Sequence, residues 1–266
     1  MRYSLKILLI LSAFWAMPAA AMAGATMDVR EVVKKANHMS YYQGKDGRAK
    51  VNMSIIDAQG REREREFIIL RRDDDDTDRG QKFYVYFNKP ADVKKMVFMV
   101  IKNIDRDDDR WLYLPALDLV KRIAASDERT SFVGSHFYYE DVSGRGIDED
   151  THEIIDVNDT TYVVKSTPKD KASVEFSSYK TWIHKVTFLP LKTEYYDDQG
   201  KLIRSYNALK VDMISGHPTV TSASMEDFQT GGKTLMTYSS VEYDTGVPDD
   251  IFSERYLRKV PREYLR

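Results

Sequence analysis

The side chains that most often perform chemistry in proteins are scattered in this sequence. Its histidines are separated by long intervals, and no two have the spacing of metal ligands. Gly134-Ser135-His136 lacks the second glycine of a nucleophile elbow, and no glycine-rich phosphate loop is present. The sequence therefore predicts no catalytic residue, no metal site and no cofactor, and it favours a protein that is not an enzyme. The five histidines are His38, His136, His152, His184 and His217.

Two acidic runs, in residues 73–78 and 105–109, are the other candidates for chemistry, as calcium sites. Neither run has the alternating acidic residues and the distal glutamate of a calcium-binding loop. We therefore interpret both runs as the solvated tips of hairpins.

The N-terminus has the pattern of a cleavable secretion signal. Arg2 and Lys6 form a positively charged start, residues 7–15 are largely apolar, and Ala21-Met22-Ala23 has the small-x-small pattern that signal peptidase recognises. The apolar run is shorter than the ~20 residues that a bilayer span needs. We therefore expect a signal peptide over residues 1–23 and a secreted mature domain over residues 24–266, which in a bacterial cell lies in the periplasm.

Charge and cysteine content limit the function classes. Removal of Arg2 and Lys6 from the 40 basic side chains leaves 38 against 42 acidic ones, a net charge of about −4. That balance lacks the basic surface of a nucleic-acid-binding protein. The chain has no cysteine, so it forms no disulfide, and burial of apolar surface must stabilise the fold.

Hydrophobic periodicity predicts one helix followed by strands. In residues 28–39 (DVREVVKKANHM) the apolar side chains recur at helical spacing, with Asp28 as the N-cap. From residue 48 onward the period is two, which predicts about ten antiparallel strands joined by short polar turns. Strands are predicted at residues 172–179 and 181–188, but none between residues 114 and 153. We expect a single, mainly β domain with one strongly curved sheet, and helices that cover its open side.

Two of these strands are apolar on both faces. Residues 83–87 (FYVYF) and 96–101 (MVFMVI) carry apolar or aromatic side chains at every position. Two interpretations are open: these strands form the core of a β-sandwich, or they form the wall of a lipid cavity. Methionine suits such a cavity because its flexible, polarizable side chain adapts to varied acyl chains.

Three segments resemble a known family. Residues 110–117 (RWLYLPAL), followed by residues 121–123 (KRI), are similar to its W-x-Y-x-P segment. Residues 131–141 (SFVGSHFYYED) are similar to its S-F-x-G-S-D-F-x-Y-E-D stretch, with His136 where an aspartate is common, and residues 251–257 (IFSERYL) also fit. The family is that of the outer membrane lipoprotein-sorting proteins (LolA/LolB-like). The resemblance is greater to the branch associated with RND-type lipid exporters.

The resemblance implies an unclosed β-barrel with a helical lid over a hydrophobic cavity. Its function would be to carry a lipid or lipoprotein toward the outer membrane. The implied partners are acyl chains, an inner-membrane RND-type exporter and an outer-membrane acceptor. A buried methylene contributes ~0.8 kcal/mol, so exposing an acyl chain of ~15 methylenes costs roughly 12 kcal/mol, which a carrier avoids. Two alternatives remain open: a periplasmic adaptor of the exporter that carries no lipid, and a hydrolase.

Candidate site residues follow from strand parity and helical spacing. The lipid-binding candidates are Val51, Met53, Phe67, Ile69, Phe83, Val85, Phe98 and Trp111. The lid candidates are Val29, Val32, Val33 and Ala36.

Residues 131–141 have two open roles. As a functional loop they would contact the exporter or gate the cavity. As a structural element, Gly134 would supply a bend that other residues resist, and Glu140 and Asp141 would cap or pair locally.

Overall fold

The computed structural model describes residues 27–73, 78, 80–103 and 106–265. The predicted signal peptide lies outside the described residues, as do Asp74, Asp75, Asp76 and Asp105 of the acidic runs. In the part of the chain that is described, no helix has both the length and the apolar character needed to cross a bilayer.

The described strands form one antiparallel sheet of thirteen strands, in the order β6-β5-β4-β3-β2-β1-β13-β12-β11-β10-β9-β8-β7. No ladder joins the two edge strands, β6 and β7, so the curved sheet stays open. The predicted mainly β fold with an unclosed barrel is confirmed. The strands are β1 (Asp46–Asp57), β2 (Glu62–Asp73), β3 (Gln81–Lys89), β4 (Val97–Ile101), β5 (Asp109–Leu114), β6 (Leu119–Ile123), β7 (Asp150–Val157), β8 (Thr161–Pro168), β9 (Ser178–His184), β10 (Pro190–Tyr196), β11 (Leu202–Ile214), β12 (His217–Asp227) and β13 (Gly232–Tyr243).

The pairing of β1 with β13 joins the two ends of the chain. Their register runs from Gly47 opposite Tyr243 to Asp57 opposite Gly232. All other ladders join strands that are consecutive in the sequence. The sheet is therefore two meanders, β1–β6 and β7–β13, fused through one long-range ladder.

Two strand assignments differ from the sequence prediction. β6 was not predicted, because only Ile123 of its five residues is buried, so the strand shows no alternation of apolar and polar residues. It forms through its backbone ladder with β5, from Leu114 opposite Leu119 to Arg110 opposite Ile123. Residues 172–179 and 181–188 were predicted as two strands, but residues 172–177 form a connection and a single strand, β9, runs from Ser178 to His184.

The inner, concave face of the sheet carries the larger apolar cluster, here called the inner cluster. Its members come from alternate positions of β1–β4, from β6, β12 and β13, and from the connections that join β3 to β4 and β6 to β7. The largest fully buried side chains in it include Phe87, Phe98, Phe132, Met53 and Met225.

A second apolar cluster, here called the outer cluster, lies on the other face of β2–β5. Leu70, Tyr84 and Met99 pack there against Val247 and Leu257 of the C-terminal segment. That segment contains a 3-10 turn (Asp249–Ile251) and helix α3 (Glu254–Arg258), where the sequence predicted one short helix; helix α2 (Tyr139–Ser143) lies in the connection from β6 to β7. Residues 83–87 and 96–101 are therefore apolar on both faces because the sheet buries both faces there.

The N-terminal helix α1 (Val29–Asn37) is followed by a π-helical turn (His38–Tyr42). Asp28 caps α1 as predicted, because its carboxylate accepts a hydrogen bond from the Arg30 amide at 2.9 Å. Val32 and Ala36 of α1 pack against Val164 of β8 and Ile183 of β9. These four buried residues form a third apolar cluster, here called the helix cluster.

Candidate functional site

A cavity of about 410 Å³ lies within the curve of the sheet, beside α1. Strands from both meanders, α1, the π-helical turn and the connection from β6 to β7 all contribute to its wall. Pockets that bury small ligands have ~300–1,000 Å³, so this cavity has room for one compact ligand or acyl chain.

The eight lipid-binding candidates divide into three groups. Phe67, Ile69 and Phe83 line the cavity. Trp111 lies on the opposite face, against the outer cluster, because side chains alternate along β5 and Leu112 takes the inward position. The remaining four are packed within the inner cluster and do not line the cavity: Val51, Met53, Val85 and Phe98.

The four lid candidates all lie on the side of α1 that packs against the sheet. Val33 and Ala36 also line the cavity, whereas Val29 and Val32 pack in the helix cluster and do not line it. Helix α1 thus forms part of the cavity wall, and its apolar side is covered.

The connection from β6 to β7, residues 124–149, is here called the closing segment because it crosses the gap between the two edge strands. Near its middle, Ser131 bridges Tyr138 in antiparallel fashion, and the Phe132 amide donates to the Phe137 carbonyl at 2.8 Å. Gly134 has a φ of +79°, so the predicted bend at this glycine is confirmed. The tight loop directs Phe132 into the sheet.

Phe132 is fully buried at the centre of an aromatic group. Its ring centre lies 5.6 Å from those of Phe98 and Tyr139, 5.9 Å from that of Phe87 and 6.0 Å from that of Phe67. The closing segment therefore fills the part of the interior enclosed by β1–β4, and the cavity occupies the rest.

Ion pairs within the closing segment also attach it to the second meander, β7–β13. The Glu140 carboxylate is buried between Arg129 and Arg145, with Arg145 Nη1 at 3.0 Å. Arg145 also pairs with Asp150 at the start of β7, at 3.1 Å, and Arg129 pairs with Glu175 at 2.6 Å. Buried carboxylates and guanidinium groups are tolerated because each is paired.

Arg204, fully buried on β11, makes the second attachment. It pairs with Asp141, contacts Glu175 at 3.5 Å and donates to the His136 carbonyl at 3.2 Å. Its guanidinium carbon lies 3.7 Å from the centre of the Tyr138 ring. Glu140 thus pairs within the closing segment, and Asp141 caps locally by accepting a hydrogen bond from the Tyr138 amide at 2.7 Å, as the structural interpretation predicted; Asp141 also pairs with Arg204 on β11.

His136 has a structural contact. Its amide and its Nδ1 lie 3.0 and 2.9 Å from the hydroxyl oxygen of Thr234, which is buried on β13. The departure from the family's usual aspartate therefore leaves this position as an anchor of the closing segment to β13.

Burial raises the pKa of Glu140 from 4.5 to about 7, although Arg129 and Arg145 act in the opposite direction. Between about pH 4.5 and 7 the folded chain then binds more protons than the unfolded chain, so its free energy of unfolding falls as the pH rises.

We expect Glu140→Gln to flatten this dependence, measured as urea midpoints from pH 5 to pH 8. The exposed Glu153→Gln should leave the slope unchanged. If the wild type and Glu140→Gln showed the same pH dependence of stability, the raised pKa of Glu140 would be contradicted.

Tyrosines form the polar part of the cavity wall. Tyr41, Tyr195, Tyr206 and Tyr238, here called the tyrosine group, all line the cavity. Burial raises the pKa of all four, that of Tyr238 to about 12, so their hydroxyls stay protonated donors at neutral pH. Among the described residues, no group hydrogen-bonds to the hydroxyls of the first three, and that of Tyr238 meets only Met236 Sδ, at 3.4 Å.

Sequence reasoning did not single out the tyrosine group or the arginines of the ion-pair network. Tyr195 lies on the same face of β10 as Thr193, and Tyr206 lies on the same face of β11 as Ala208. Period two could therefore have placed each tyrosine on one face of its strand. For Arg129, Arg145 and Arg204 the sequence carries no comparable signal, because their partners lie on other elements.

Within the described residues, no three acidic or histidine side chains form a metal-binding group.

Comparisons with known proteins agree with this fold. A protein-family model described as "Uncharacterized protein" matches residues 79–259. The chain is similar to a DUF1329 family protein from Desulfovibrio piger, with 28% identity and a TM-score of 0.77 over 86% of this chain and 98% of that one. It is also similar to a putative outer membrane lipoprotein-sorting protein domain from Vibrio parahaemolyticus, with 26% identity and a TM-score of 0.78 over 86% and 98%.

A LolA superfamily protein from Nitrosomonas europaea shares the fold, with 19% identity and a TM-score of 0.66 over 87% of this chain and 100% of that one. A search of curated proteins finds no match. The chain therefore belongs to the family of the matching model, and its fold is that of the outer membrane lipoprotein-sorting proteins of the LolA superfamily.

Proposed function

We propose that this protein is a periplasmic carrier that binds an acyl chain of a lipid or lipoprotein in its cavity and carries it toward the outer membrane. The observation that carries the proposal is the cavity of about 410 Å³ inside a LolA-type open barrel, lined by Phe67, Ile69 and Phe83 and by side chains of α1. An RND-type exporter in the inner membrane would supply the cargo, and an acceptor at the outer membrane would receive it. No catalytic group is needed, because transfer depends only on burial of the chain.

The test is mass spectrometry of an organic extract of the protein, expressed with its N-terminal segment and purified without detergent. We expect a lipid in near-stoichiometric amount with the wild type. Ile69→Asp should lose it, since Ile69 lines the cavity and an unpaired charge in an apolar site costs several kcal/mol. Circular dichroism establishes that each variant is folded.

The matched control is Ile155→Asp, which makes the same change on β7 at a side chain that is 42% exposed. It should retain the lipid. Equal amounts of lipid in both variants would place the binding outside the cavity. Wild-type protein that carries no lipid, and takes up none when offered, would instead favour the adaptor of an exporter.

A further inference from the structure

Two kinds of side chain line the cavity. Apolar side chains, among them Phe67, Ile69 and Met225, supply one kind, and the phenols of the tyrosine group supply the other. Tyr195 and Tyr206 lie on the adjacent strands β10 and β11, where Tyr195 is opposite Arg204, so the two tyrosines are diagonal neighbours on one face. An entirely apolar cargo would leave these phenol hydroxyls without partners, and buried polar groups normally have them.

Each charged side chain that lines the cavity already has a hydrogen-bond or ion-pair partner within the protein. Glu140 pairs with Arg129 and Arg145, and Asp141 pairs with Arg204. Arg145 also pairs with Asp150. Arg71 donates to backbone carbonyls, including that of Tyr41 at 2.9 Å. Arg48 donates to the Tyr264 carbonyl at 3.0 Å and lies 3.9 Å from Glu242.

A charged head group would therefore have to compete with these existing partners for a counter-ion. Moving a phosphate or an ammonium group from water into such a site is strongly unfavourable unless it is paired. A neutral oxygen, by contrast, can accept hydrogen bonds from the phenols, and a hydroxyl can also donate to them.

We propose that the cavity binds a single-chain amphiphile with a neutral, oxygen-bearing head, a hydroxyl or an ester, whose oxygen lies against Tyr41, Tyr195, Tyr206 and Tyr238. This assignment rests on the proposed carrier function and names its substrate class. The chain of the amphiphile lies along Phe67, Ile69 and Phe83, and lipids with a phosphate head are disfavoured.

The test compares three ligands with the same twelve-carbon chain: 1-dodecanol, 1-chlorododecane and dodecyl phosphate. Each displaces the neutral dye Nile red from the purified, delipidated full-length protein. We expect dodecanol to bind about tenfold more tightly than chlorododecane, and dodecyl phosphate to bind most weakly. The double variant Tyr195→Phe, Tyr206→Phe should weaken dodecanol binding about tenfold and leave chlorododecane binding unchanged.

Tyr86→Phe is the matched control, because Tyr86 packs against the outer cluster on the other face of the sheet. It should bind all three ligands as the wild type does. If the double variant binds dodecanol with wild-type affinity, or if dodecyl phosphate binds best, the assignment of a neutral head is wrong while the carrier proposal stands. If neither the dye nor any ligand binds to the folded wild type, the carrier proposal itself fails.

Discussion

Replacing Arg204 with alanine is expected to lower the free energy of unfolding by about 3–5 kcal/mol. Arg204 is fully buried, and it joins β11 to the closing segment through Asp141, Tyr138 and the His136 carbonyl. The alanine variant leaves the Asp141 carboxylate in the interior without its guanidinium partner. Urea unfolding followed by circular dichroism measures the effect.

The matched control is Arg258→Ala. Arg258 pairs with Asp118 at 3.0 Å, but both side chains are at least half exposed, so the loss should stay below about 1 kcal/mol. The double variant Arg204→Met, Asp141→Asn removes both charges and should recover part of the stability lost in Arg204→Ala. If Arg204→Ala costs no more than Arg258→Ala, the buried pair does not hold the closing segment.

Truncating Phe132 to alanine is expected to lower the free energy of unfolding by about 3–5 kcal/mol. Phe132 is fully buried among Phe67, Phe87, Phe98 and Tyr139, so the change removes aromatic contacts and leaves a cavity that the sheet cannot collapse to fill. The variant should also release the closing segment locally. Trypsin cleavage after Arg129 and Arg145, both largely buried in the wild type, reports that release.

Phe228→Ala makes the same truncation at a side chain that is 41% exposed, and it should change stability by less than about 1 kcal/mol. Cleavage at Arg129 and Arg145 should then proceed at the wild-type rate. A Phe132→Ala variant that is as stable and as resistant as Phe228→Ala would show that the closing segment does not depend on its aromatic anchor.

Local features of the fold could be read directly from residue order. Period two in residues 48–56 predicted β1, because alternation reflects one buried and one exposed face along a single strand. Helix α1 and its Asp28 cap were predicted for the same reason, since capping depends on residues within one turn. Edge strand β6 was missed because its ladder with β5 forms through backbone groups that every sequence has.

The roles of the apolar side chains were less predictable. Strand parity identified Phe67, Ile69 and Phe83, which do line the cavity. Parity alone cannot tell which face is concave, so Trp111 was grouped with them although it faces the outer cluster. Nor could it show that Phe98 packs against Phe132, because that contact depends on the path of the closing segment.

Sequence by itself determined the strand-rich character, the capped N-terminal helix, the bend at Gly134 and the LolA-like resemblance, since each depends on neighbouring residues or on contiguous motifs. Tertiary structure alone decided which residues border the cavity and which charges are neutralised. The cavity exists because β1 pairs with β13 and the closing segment crosses the open edge, bringing together Glu140, Arg145 and Tyr195 from separate parts of the chain. Such long-range pairing follows from the summed burial of both faces of the sheet, and no short stretch of sequence carries it.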